Sequence, residues 1–191
     1  MAKQKFNNKL ARKILTTVAE AIAVGGLSLT LMAMPGMATV VKEFIDWYNK
    51  QNSKYRFTIR KTFEELRRAR LVEYQEINGI TKIIILEKGK KKILQYQIDD
   101  LKIPKMKKWD KKWRFVIFDI PEKQKKARKA FRDKLNVLGF YFLQKSVWVY
   151  PFECHNQIDF ATKVFGISPH VRIIEAVDFD GSEEIKKIFF G

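Results

Sequence analysis

The residues whose type and spacing bear most directly on chemistry are cations. In residues 53–70, Tyr55, Ile59, Phe63 and Leu66 recur at i, i+4, i+8 and i+11 and mark the buried stripe of a helix. Lys54, Arg56, Arg60, Lys61, Arg67 and Arg68 fall largely off that stripe. Such side chains suit a polyanion. Ammonium and guanidinium groups meet phosphate oxygens, and an arginine can bridge the O6 and N7 edge of guanine. The bland alternative is a solvated, charged helix of an interaction module. Ser53 is the candidate N-cap.

Other reactive side chains offer less. Cys154 and His155 adjoin, but no third partner is visible for a nucleophile, and loop or capping chemistry is the better reading. Ser146 lies outside any Gly-x-Ser-x-Gly setting. A single cysteine and two histidines, His155 and His170, exclude a disulfide framework and a cysteine-rich zinc site. No phosphate-cradling glycine loop supports an NTPase. Trp109, Trp113 and Trp148 are assigned to packing before base stacking.

The whole composition agrees with the cationic helix. The 191 residues hold 38 Lys and Arg against 21 Asp and Glu, a formal charge of +17. The excess is shared by the two halves of the chain, and nucleic acid is the first candidate partner, an anionic membrane the second. A hydrophobic fraction of 46% excludes a disordered basic tail.

Elements that would position these residues follow from periodicity. Ile14, Leu15, Val18 and Ile22 share the face of a first helix that Gly25-Gly26 would stop. Thr39 would cap a second, with Val40, Val41, Phe44, Ile45 and Tyr48 inward. The run 14–41 carries only one charge, Glu20, and follows Lys3, Lys5, Lys9, Arg12 and Lys13, so a membrane span or export signal is the alternative there. After the third helix, 71–77 and 80–86 are β-prone runs joined by Asn78-Gly79, a strong hairpin signal that sets Lys82 near the tip. Residues 87–98 return to a helical pattern around Gly89. Three helices and a hairpin make a winged helix-turn-helix, in which the third helix enters the major groove.

Residues 102–114 then hold seven basic residues, one acid and one proline, and read as an interdomain linker that includes Lys107 and Lys108. Beyond it, Trp113–Ile120 reads as a strand buried on both faces. Pro121 suits a helix N1 position, with Glu122 complementing the dipole. The helix 122–138 buries Ala127, Ala130, Phe131, Leu135 and Leu138. It exposes Lys123, Lys125, Lys126, Arg128, Lys129, Arg132 and Lys134. Strands at 140–143 and 146–150, a helix at 156–165 closed by Gly166, a strand at 171–178 and a terminal helix at 182–189 complete it. The order βαββαβ is the ferredoxin-like split motif. Glu153 and Asp159 are placed for helix-start roles.

The strand ending Phe118-Asp119-Ile120-Pro121, the Lys/Arg-rich helix, Leu138-Gly139-Phe140 and Gln144-Lys145-Ser146-Val147-Trp148 resemble the core of the PaaX-type transcriptional repressors. Their central domain is similar to the small CRISPR-associated endonuclease. The pattern from Leu71-Val72-Glu73-Tyr74 to Leu86-Glu87-Lys88-Gly89 fits the same architecture, and the resemblance covers about 40–180. It implies an α+β chain: a winged helix over 8–98, a basic linker over 99–112, a ferredoxin-like dimerisation domain over 113–181 and a tail over 182–191. It implies a cytoplasmic, nucleoid-associated homodimer on duplex DNA that needs no cofactor. Lys54, Arg56, Arg60, Lys61, Arg67, Lys82, Lys107 and Lys108 would be the DNA contacts. In the endonuclease family a strand-end aspartate is associated with a divalent metal, two facing each other across a dimer. Asp119 matches it, so a nuclease using Mg²⁺ or Mn²⁺ is the alternative, with Asp119 both catalytic and metal-binding. The simpler role for Asp119 is structural, at the start of the following helix.

Overall fold

A computed structural model describes residues 8–24, 56–77, 80–104, 106 and 108–191. The predicted second helix, the Ser53 cap, Lys54, the Asn78-Gly79 turn and Lys107 lie outside the described residues. The chain forms two compact units, and the division falls between Gln97 and Ile98.

In the first unit, helix α1 (Asn8–Val24) buries Ala11, Ile14 and Leu15 at helical spacing. They meet Phe63 and Leu66 of α2 (Arg56–Arg68), Leu71 and Val72 at the start of β1 (Val72–Ile77), and Ile93 and Tyr96 of α3 (Glu87–Asp100). The strand β2 (Ile80–Ile85) pairs antiparallel with β1, Ile77 opposite Ile80 and Val72 opposite Ile85. Helix α2 ends in a Schellman turn: Leu71 N donates to Leu66 O at 3.0 Å, Arg70 N to Arg67 O at 2.9 Å, and Arg70 takes φ 56°. Gly89 is required by space. A Cβ there would lie 2.1 Å from the Leu71 carbonyl oxygen and 2.9 Å from Ile85 Cγ2. The first turn of α3 thus runs directly against the base of the hairpin.

The second unit is a four-stranded antiparallel sheet. Strands β3 (Trp113–Phe118), β4 (Tyr141–Gln144), β5 (Val147–Tyr150) and β6 (Val171–Ala176) lie in the order β4-β5-β3-β6. Helix α4 (Lys125–Val137) connects β3 to β4, and α5 (His155–Phe165) connects β5 to β6. Neither connection joins strands that neighbour each other in the sheet. One core gathers Val116, Phe118 and Trp148 with Phe131, Leu135, Ile158 and Ala161. A second lies around Trp113 and Val149, where Ile185 and Phe189 of α6 (Ser182–Phe190) pack. The chain's own last helix therefore covers part of the sheet. Leu101, Ile103 and Trp109, from the segment read as a linker, pack onto these two cores.

Three details of the helix after β3 differ from the periodicity reading. It does not run regularly from Glu122: residues Glu122–Gln124 form a 3-10 turn before α4 begins at Lys125. Pro121 has no N–H, and the Ile120 carbonyl accepts from the Arg128 guanidinium at 3.1 Å. Ala127 and Ala130 are half-buried rather than core. Lys134, expected in solvent, is buried: its Nζ donates to Asp99 O at 3.3 Å and Leu101 O at 3.1 Å. Its aliphatic stem crosses the core edge and its ammonium satisfies carbonyls at a helix C-terminus. Burial holds its pKa below the usual lysine value.

Candidate nucleic-acid interface

The cations expected to meet DNA are spread over several elements. Arg56 and Arg60 lie in the first half of α2, Lys61 and Arg67 are exposed on it, and Arg67 also pairs with Glu64 at 2.9 Å. Lys82 stands opposite Gln75 in the hairpin. Lys108 is exposed. No helix among the described residues is long and apolar enough to cross a membrane, and residues 25–41 of the apolar run lie outside them.

In the second unit the cations of α4 line an open groove of about 420 Å³. Its walls are Lys125, Arg128, Lys129, Arg132 and Asn136, one stripe at i, i+3, i+4, i+7 and i+11, with Asp133 and, from β5, Trp148. Arg128 is tied to Glu122 at 2.6 Å and Lys129 to Asp133 at 2.7 Å. Lys125 and Arg132 have no carboxylate partner among the described residues. The Arg132 guanidinium instead lies over the Phe142 ring, 5.8 Å from its centroid, and Phe142 stands edge-on to Trp148 at 5.2 Å. The indole N–H of Trp148 is buried and has no hydrogen-bond partner among the described residues.

A different arrangement surrounds Arg114, which is only 2% exposed in a strand that is otherwise apolar. Its guanidinium donates to both carboxylate oxygens of Asp110, at 2.7 and 2.5 Å, and to the carbonyls of Lys112 and Pro151. Glu153 and Glu175 each approach it to 3.4 Å. The hydrogen bond from Arg114 holds the Asp110 carboxyl down at about 2. Lys112, at 2.9 Å, lowers Glu175. Burial pushes Glu153 upward, but the amide and ring of His155 outweigh it, and its pKa is lowered. Glu153, His155 and Glu175 bring one ligand atom each within 4.8 Å of one another, the geometry of a cation site. Both carboxylates are already engaged by Lys112 and Arg114, so the group is built as an ion-pair network.

Of the remaining candidates, Asp119 belongs to neither place, Cys154 adjoins the Arg114 network and Trp148 lines the groove. Asp119 is exposed just beyond β3, its backbone N–H donates to His170 O at 3.0 Å, and it is not in the metal-capable group. Cys154 precedes α5 with its carbonyl accepting from Ile158 N, and burial pushes its thiol up to about 12, far from a thiolate nucleophile. Asp159 pairs with Lys163 at 2.6 Å within α5. Trp113 and Trp148 are buried, and Trp109 stands edge-on to Trp113 at 5.0 Å. Sequence reasoning missed the Arg114 network. The signal was present: an arginine within an apolar strand requires acceptors, and Asp110 stands four residues before it. The groove was half visible, as a row of cations without the indole that the sheet register brings to it.

The second unit is thus a mixed α/β domain with a cation-lined groove on one helix. Residues 106–188 match the family model of the PaaX protein central Cas2-like domain. No curated protein matches the chain.

Proposed function

We propose that the protein is a DNA-binding transcriptional regulator of PaaX type, acting as a homodimer on duplex DNA. The observation that carries this reading is the PaaX central-domain match over 106–188, preceded by a basic helix and a β-hairpin in a separate compact unit. The first unit is read as a winged helix-turn-helix, with Arg56, Arg60 and Lys61 of α2 in the major groove and Lys82 on the wing. Lys54, Arg67, Lys107 and Lys108 add phosphate contacts. The second unit is read as ferredoxin-like: its strand order and its two skipped connections support that topology. Its role in this reading is to pair the protomers so that two α2 helices meet two half-sites.

The test is a gel titration of the protein on labelled duplex DNA, with and without Mg²⁺ or Mn²⁺. A retarded band over intact DNA is expected in every lane. With six to ten phosphate contacts, affinity falls by about 10³–10⁵ between 50 and 200 mM salt. Replacing Arg60 and Lys61 with Ala weakens binding, and unchanged affinity would remove α2 from the interface. Metal-dependent shortening of the DNA, abolished by Asp119→Asn, would replace the regulator with the nuclease.

A further inference from the structure

The row of cations on α4 is more than a solvated helix face, because its charge is unevenly neutralised. Asp133 is occupied by Lys129 and Glu122 by Arg128. Lys125 and Arg132, seven residues apart at the two ends of the row, have no carboxylate partner among the described residues. Arg132 is held in place without being neutralised, since its partner is the Phe142 ring. The groove floor carries an indole whose N–H has no acceptor among the described residues.

We propose that this groove is a second nucleic-acid contact: it seats the phosphate backbone of duplex DNA along Lys125, Arg128, Lys129 and Arg132, beside Trp148. The shape favours a backbone over a lone anion. Seven helical residues span about 10.5 Å. Phosphates on one DNA strand advance about 3.4 Å each along the duplex axis, so the row is long enough to meet more than one of them. A free phosphate would engage one end only. The groove is open, and seating a strand's phosphates on its cations supplies affinity without sequence preference. This inference rests on the duplex-DNA reading above and adds a contact in the second unit, which that reading used only for pairing.

The test compares the salt dependence of duplex binding by the full chain with that of Lys125→Gln/Arg132→Gln. Among the described residues neither has a carboxylate partner to orphan, and an unchanged thermal melt checks folding. Lys145→Gln/Lys187→Gln removes the same charge from exposed positions of the same unit that do not line the groove. The groove variant is expected to flatten the slope of log K against log salt by about 2 per chain, and the control to leave it as in the wild type. A second readout is the indole N–H resonance of Trp148, assigned by its loss in Trp148→Phe. It is expected to shift on adding a short non-specific duplex and to stay put with adenosine monophosphate at equal phosphate. An unchanged slope in the groove variant, or equal flattening in the control, overturns the proposal. A shift with the monophosphate together with an unchanged slope makes the groove a small-anion site and also overturns it. If the wild type fails to bind duplex at all, the regulator reading falls first. If the wild type binds and the groove variant behaves like it, the groove alone falls.

Discussion

Around Arg114 three carboxylates converge on one buried guanidinium, whereas along α4 four cations share two carboxylates and look outward over a groove. Both regions lie in the same unit and draw on the same residue types. The difference is in how the charge is spent. Arg114 sits in a central strand, where a guanidinium left without acceptors is untenable, so neighbouring loops and strand β6 supply them. The α4 cations remain hydrated on one side and need no such supply. Lys134 stands between the two: it is buried on α4 itself, but backbone carbonyls take its ammonium. Net charge therefore does not locate a binding surface; the pairing of each charge does.

Four measurements break or sharpen that contrast. The largest effect is expected from Arg114→Met, which strips three carboxylates of their shared cation: about 3 kcal/mol of stability lost, read by urea denaturation. A loss below about 1 kcal/mol would make the network ornamental. Acid comes next. Because Asp110 titrates at about 2 when folded and near 3.8 otherwise, its contribution is complete above roughly pH 4 and disappears as pH falls through 2. Glu153 and Glu175 shift the same way. The melting temperature should hold between pH 8 and 5 and fall steeply below 4, and less steeply in Arg114→Met. Lys134→Met should cost about 1 kcal/mol, since two carbonyls lose their donor while the apolar stem is retained. The smallest effect is that of Lys125→Gln/Arg132→Gln on stability, within about 0.5 kcal/mol, measured by the same denaturation. A large loss there would turn the groove cations into structural ones and erase the contrast.

Much of this arrangement was legible in the residue pattern. The period-3.6 stripes found α1 through Ile14 and Leu15, α2 through Phe63 and Leu66, and α4 through Phe131 and Leu135. Gly166, at positive φ, closed its helix where expected. What escaped were features created by residues distant in sequence. The burial of Lys134 depends on carbonyls more than thirty residues earlier, and the need for Gly89 on how closely α3 approaches Leu71. The segment of residues 102–114 looked like a linker because lysines dominate it, yet Ile103, Trp109 and Asp110 tie it into the second unit. Composition weighs every residue equally, while packing is decided by the few that find partners.

The sequence by itself determined the charge, the order of helices and strands, and the apolar faces that each must bury. Those follow from local periodicity and from the chemistry of single side chains. Only the tertiary structure decided which cations were neutralised and which were left to face a partner. It set Asp110, Glu153 and Glu175 around Arg114, and it brought Trp148 and Phe142 from the sheet to the cations of α4. Electrostatic pairing falls off over a few ångströms, and no one-dimensional spacing fixes distances of that size between residues on different elements.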